Sequence, residues 1–161
     1  YDLGHRQIAR VGGPESLAHS YIRDSAFADV ASELGMRYRC LHTDYTPETG
    51  REATKRLLAF PEHPTAIIYD NDVMALAGLG VAASQGIKVP EEISIMSWDD
   101  SLMCTAAYPN LTAMGRDVVD TGKQAAGLLL KLIGGERVGH LMEGPYELRA
   151  RASTGPAPAA E

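Results

Sequence analysis

The stretch AIIYDNDVMALAG, residues 66–78, decides the fold class of this chain. A short apolar segment of strand length meets an apolar run of helical length, and Asp70, Asn71 and Asp72 lie at the junction. A strand followed directly by a helix is the repeating unit of α/β sheets. Asp and Asn are preferred helix N-caps, but one residue is enough to cap a helix. Either the three residues only cap, or one of them caps and another contacts a ligand.

The alternation of strand and helix continues along the chain. Apolar or alternating segments predict strands, and segments with a helical stripe, several ending in glycine, predict helices. The predicted strands are 7–13, 37–44, 65–69 and 92–98, with one or two more in 140–153, and the predicted helices are 18–35, 47–60, 72–86 and 117–135. This order predicts a doubly wound sheet of mainly parallel strands with helices on both faces.

Two of the predicted helices are strongly apolar. The helix at 72–86 is apolar almost all round, which indicates that it is either buried or covered by a second subunit. The helix at 117–135 carries a continuous apolar stripe that we interpret as core. Residues 92–98 and 65–69 are short apolar strands of the kind that is buried on both faces of a sheet.

Length, charge and composition limit the function classes. The 161 residues fit one domain or a two-lobed piece of a larger protein, and the formal charge of −6 argues against a chain that grips phosphate backbones by itself. Arg149 and Arg151 form the one local basic cluster, and a pair of this kind more often lies on a solvent-exposed strand face. No apolar run predicts a membrane span or a signal peptide.

Catalytic and metal-binding motifs are not evident. The sequence has no nucleophile elbow, phosphate-binding loop or dinucleotide fingerprint, so we expect no enzyme activity. Cys40 and Cys104 stand alone, and we expect two reduced thiols. The five histidines lack ligand spacing such as HxxxH, so we predict neither a metal site nor a cofactor.

Polar and aromatic residues collect where the predicted strands end, which is where α/β sheets bind ligands. Tyr45 follows the second strand and either stacks on a ring or is an exposed loop aromatic. Arg23 lies in the first helix and holds either a ligand oxygen or a neighbouring acid. Trp98 precedes Asp99 and Asp100, and it either belongs to the same strand-end site or packs in the core or at a dimer interface.

Four segments, in this order, resemble the lactose/galactose-repressor family of bacterial transcription regulators. They are LGHRQIARVGGP (3–14), TAIIYDNDVMALAGLGVAASQGIKVPEEISIMSWDDS (65–101), YPNLTAMGRDVVDTGKQAAGLLLKLIGGE (108–136) and ELRARASTGP (147–156). The resemblance implies a core like the periplasmic sugar-binding proteins, with two α/β lobes. Residues 1–112 would form the C-terminal lobe, 113–137 a strand and helix crossing to the N-terminal lobe, 138–155 the return and 156–161 a tail. The chain starts at Tyr1, and we expect a piece that lacks the helix-turn-helix and most of the first lobe.

The same resemblance implies a set of ligand-binding residues. Arg23, Tyr45, Asn71, Asp99 and His19 occupy positions that contact the effector in this family. Asp72 is then the predicted N-cap, while Asp70 departs from the small residue usual at its position. The implied effector is a sugar or related polyol, less readily a nucleobase.

The resemblance also implies the biological setting. We expect a cytoplasmic homodimer that reaches operator DNA only through the absent helix-turn-helix and that does not contact membranes. The alternative is a periplasmic sugar-binding protein for uptake, which shares the two-lobed fold.

Overall fold

The computed structural model of the chain describes residues 1–140 and 144–159. Strands and helices alternate as the sequence predicts, so the α/β class is confirmed. The elements are β1 (Gln7–Gly12), α1 (Ala18–Glu33), β2 (Arg37–His42), α2 (Pro47–Leu58), β3 (Ala66–Tyr69), α3 (Asp72–Ser84), β4 (Ser94–Trp98), α4 (Leu102–Ala106), β5 (Thr112–Gly115), α5 (Val118–Ile133) and β6 (Glu147–Arg149). No helix in these ranges is long and apolar enough to cross a bilayer.

The strands form one sheet in the order β2-β1-β3-β4-β5-β6. Strands β1 to β5 are parallel, and β6 joins β5 antiparallel. Their register brings the ends of neighbouring strands level: Val11 pairs with Tyr69, and Tyr69 pairs with Ser97. The loops that follow β1, β2, β3 and β4 therefore meet along one edge of the sheet.

The two faces of the sheet are covered unequally. On one face, Val11, Ile67 and Ile95 are fully or almost fully buried against α2 and α3. On the other face, helix α1 lies over a groove of about 300 Å³ that Ile68 and Met96 line. Residues 66–69 and 94–98 are thus fully buried on one side and partly exposed on the other, because α1 covers only part of that second face.

Helix α3 is buried by its own chain. Gly50 of α2 lies so close to Met74 that an added Cβ would sit 2.8 Å from the Met74 side chain. An added Cβ at Gly78 would lie closer still to the ring of Tyr69, at 2.6 Å from its Cζ. These glycines let α2, α3 and β3 pack with their backbones close together, which accounts for an almost wholly apolar helix without a second subunit.

Helix α5 contradicts the prediction that its stripe is core. None of its residues is buried, and Leu130 and Ile133 are 69% and 74% exposed. The reason is that no other element of the described chain covers this stripe. Residues 113–115, the start of the predicted crossing segment 113–137, belong to β5, which pairs with β4 in the main sheet, so this strand stays in the lobe of β1 to β4. The wider division into two lobes stays a prediction.

Candidate functional site

Asn71, at the end of β3, is the N-cap of α3. Its backbone is extended (φ −149°, ψ 166°), and its Oδ1 accepts the Met74 backbone N–H at 2.8 Å. The prediction that Asp72 is the cap is therefore wrong. Asp72 is the first residue of the helix and lies one position after the N-cap. Asn71 Nδ2 also donates to the Tyr45 carbonyl oxygen at 3.1 Å. One lone pair and one amide hydrogen of Asn71 stay available for a ligand.

Tyr45 is held by its neighbours at the same edge. Its hydroxyl lies 2.7 Å from His19 Nε2, and the two rings are stacked with centroids 6.2 Å apart. Its ring covers Gly13, where an added Cβ would stand only 1.9 Å from the Tyr45 Cζ. A glycine at position 13 is therefore what allows the tyrosine ring to lie over the end of β1.

Tyr45 and Asp99 share an unusual backbone conformation. Their φ angles are 69° and 71°, and they are the non-glycine residues with positive φ in the described ranges. Such a conformation costs on the order of 1–3 kcal/mol and is concentrated at functional sites. Both residues are among those that the sequence singled out, so the structure adds an independent feature to each.

A buried ion pair lies beside this edge. Arg10 of β1 is 2% exposed and Asp70 is 4% exposed. Arg10 Nε donates to Asp70 Oδ1 at 2.8 Å, and Nη2 donates to Oδ2 at 2.5 Å. This pair explains the unusual carboxylate at position 70, because a buried guanidinium needs an anionic partner. Sequence reasoning missed Arg10, although a lone arginine inside an apolar strand was a signal that it needed one.

Arg23 lies between that pair and Trp98. Its Nη1 is 3.4 Å from Asp70 Oδ2, and its guanidinium carbon lies 4.4 Å from the centre of the Trp98 ring. The ring of Trp98 is also 5.3 Å from that of Tyr146. Trp98 therefore packs against the guanidinium of Arg23 at the site and against Tyr146, and its ring helps to position Arg23.

The two aspartates after β4 have separate roles. Asp100 forms ion pairs with Arg149 and Arg151, each at 2.7 Å, so this basic pair is not a solvated face. Hydrogen bonding from Arg151 is the main cause that lowers the pKa of Asp100. At Asp99, burial and then the charge of Asp72 raise the pKa of the carboxyl group. Asp100 is therefore a structural anion, whereas Asp99 forms no ion pair with an arginine within residues 1–140 and 144–159.

The predicted residues form two adjacent groups. His19, Tyr45 and Asn71 are linked by hydrogen bonds, whereas Arg23 and Asp99 interact electrostatically on the Asp70 side. Gly13 connects the groups, because its N–H donates to Asp70 Oδ2 at 3.3 Å while Tyr45 covers it. The edge combines a guanidinium, a carboxylate, an amide and an aromatic face, which suits binding of a polar, ring-shaped molecule.

Comparisons with known proteins agree with this architecture. Residues 1–154 match the family described as periplasmic binding protein-like domain. The chain is 34% identical over 160 residues to the HTH-type transcriptional repressor CytR of Escherichia coli K12, covering 96% of this chain and 46% of that protein. It is 32% identical over 159 residues to catabolite control protein A of Priestia megaterium, covering 95% and 48%.

Solved structures give the same result. A LacI family transcriptional regulator from Bifidobacterium animalis subsp. lactis superposes with a TM-score of 0.91 at 63% identity, over 96% of this chain and 57% of that one. This chain spans about half the length of the curated relatives it matches. The chain therefore belongs to the periplasmic binding protein-like domain family, and within it to the effector-binding cores of LacI-type transcriptional regulators.

Proposed function

We propose that the strand-end edge of this chain is half of the effector site of a transcriptional regulator. The observation that carries the proposal is the convergence of Arg23, Tyr45, Asn71 and Asp99 on one edge, with two of the four in a strained backbone conformation. The effector is a sugar or related polyol, and a nucleobase is the second candidate. Binding shifts the balance between two arrangements of the whole protein and so controls DNA binding.

Each residue has a role that follows from its chemistry. The Asp99 carboxylate accepts hydrogen bonds from adjacent hydroxyls, and the Arg23 guanidinium donates to ring or hydroxyl oxygens. Tyr45 covers an apolar ring face, and His19 fixes the direction of the Tyr45 hydroxyl. Asn71 contributes its free amide hydrogen. No bond is made or broken in this process, so the chain acts as a sensor and not as an enzyme.

The test is a calorimetric binding screen of monosaccharides, disaccharides and nucleobases on the whole protein, followed by Asp99→Asn. Losing a charged hydrogen-bond acceptor costs about 1.5–3 kcal/mol, so we expect the affinity to fall about 10- to 100-fold. Arg37→Met is the control, because Arg37 is exposed and pairs with Glu62 away from this edge. Unchanged affinity in Asp99→Asn, or no binding by any of these classes, would refute the proposal.

The remaining properties belong to the whole regulator. We propose that it is a homodimer in the cytoplasm and that operator DNA is bound by a helix-turn-helix outside this chain. A gel shift of this chain alone should show no specific operator binding, and specific binding would contradict that assignment.

The uptake alternative is not favoured, because the relatives named above are transcriptional regulators.

A further inference from the structure

Asp24, Cys40 and His42 form a cluster where α1 packs on the edge strand β2. Cys40 and His42 are two residues apart on β2, so their side chains lie on the same face of the strand. Asp24 reaches them from the second turn of α1. The ligand-type atoms of the three side chains all lie within 4.8 Å of one another. This cluster is separate from the residues to which the effector site was assigned.

The spacing of these atoms fits a metal ion. Cys40 Sγ is 3.2 Å from Asp24 Oδ1 and 3.7 Å from His42 Nε2. His42 Nε2 is 2.9 Å from Asp24 Oδ2. Ligand atoms around a tetrahedral zinc ion are about 3.3–3.8 Å apart when the metal–ligand distances are about 2.0–2.3 Å. Shifts of a few tenths of an ångström would therefore bring thiolate, imidazole and carboxylate to bonding distance, with a fourth position for water.

Glu15 completes the arrangement around His42. Its Oε1 lies 2.9 Å from His42 Nδ1, the ring nitrogen that does not face the cluster. A carboxylate on the far nitrogen of a histidine orients the ring and selects the tautomer whose other nitrogen is free to bind metal. With the proton on Nδ1, the lone pair of Nε2 would face the cluster, and a metal ion would lie between Nε2 and Asp24 Oδ2, which are 2.9 Å apart.

We propose that Asp24, Cys40 and His42 bind a transition-metal dication of the zinc type, with Glu15 positioning His42. The ion would join α1 to the exposed edge strand β2, beside the Arg10–Asp70 pair. A mixed sulfur, nitrogen and oxygen set of this kind favours zinc over magnesium or calcium, which prefer oxygen ligands alone.

Two features of the cluster bear on how the ion would bind. Arg10 Nη1 contacts Asp24 and lies 3.7 Å from Cys40 Sγ, but the guanidinium keeps its two bonds to Asp70 if Nη1 releases Asp24. Burial raises the pKa of the Cys40 thiol to about 12, so the metal has to displace a proton from sulfur, and that proton passes to solvent. The negative charges of the Cys40 thiolate and Asp24 would then face the dication, while Glu15 stays on the far side of the His42 ring.

The experiment is titration of the whole protein with Co²⁺ and with Zn²⁺. We expect Co²⁺ to produce a thiolate-to-cobalt charge-transfer band in the near ultraviolet, Zn²⁺ to abolish it by competition, and metal analysis to find one zinc ion per chain. Cys40→Ser should remove the band, while Cys104→Ser, which changes the other cysteine, should keep it. No band, or a band that survives Cys40→Ser, would overturn the proposal.

Glu15→Gln tests the site without removing a ligand. Glu15 is exposed, so this variant should fold normally. We expect zinc affinity to fall about 10-fold, the lower end for loss of a partner that orients a ligating histidine. Glu33→Gln, an exposed acid at the end of α1, is the matched control and should keep the affinity of the unchanged protein. Equal affinities for Glu15→Gln and Glu33→Gln would contradict the assigned role of Glu15.

Discussion

Asp70→Asn should destabilise the protein strongly, because it leaves Arg10 buried without its main partner. Breaking a buried ion pair by changing one partner costs about 3–5 kcal/mol. Asp24 still contacts Arg10 and is partly exposed, so we expect the lower value, about 3 kcal/mol. For a domain of this size, each kcal/mol lowers the melting temperature by about 2–4 °C, which predicts a fall of about 6–12 °C.

Urea unfolding followed by circular dichroism measures the free energy directly, and a double-mutant cycle isolates the pair. The cycle uses Arg10→Met, Asp70→Leu and their combination; the combination should recover much of the stability that each single change loses, since an apolar pair leaves no buried charge. Glu62→Gln is the control: its pair with Arg37 is solvent-exposed and should contribute at most about 1 kcal/mol. A loss below about 1 kcal/mol for Asp70→Asn would refute the reasoning, and so would a double variant whose loss equals the sum of the losses of Arg10→Met and Asp70→Leu.

Three further predictions follow from the site. Asn71→Ala should lower the free energy of unfolding by about 1 kcal/mol through the lost cap, while Asn71→Asp keeps the cap and should lose less; equal losses in urea unfolding would argue against capping. Gly13→Ala should displace the Tyr45 ring, at about 1–3 kcal/mol, and should weaken effector binding in calorimetry; an unchanged protein would show that the ring can move freely. Arg151 lowers the folded-state pKa of Asp100, so this group stabilises the fold above its unfolded pKa of about 4 and loses that effect as the pH falls below it. Asp100→Asn should therefore flatten the acid limb of the stability curve, and an unchanged limb would contradict this.

Regular local patterns were enough to predict the elements. Helix C-terminal glycines such as Gly35 and Gly86 have the positive φ angles of 62° and 71° that glycine adopts without cost. Thr46 before Pro47 starts α2, with its hydroxyl accepting the Thr49 N–H. Both signals depend on residues that are neighbours in the chain, so helix ends of this kind can be predicted from the sequence alone.

Side-chain partners far apart in the chain were not predictable in the same way. Position 70 looked like an unexplained aspartate until β1 and β3 paired and set it against Arg10, 60 residues away. Asn71 and Asp72 have almost the same capping propensity, so only the backbone angles at the end of β3 decided which one caps. The local pattern could not rank them.

The sequence by itself determined the α/β class, the order of strands and helices, and the edge at which polar residues gather, because periodicity and strand-end position are local properties. The tertiary structure alone decided which charges pair, where Tyr45 lies, that the stripe of α5 is uncovered in this chain, and that Asp24, Cys40 and His42 meet. Those facts depend on distances between segments that the fold brings together, and a linear pattern does not contain such distances.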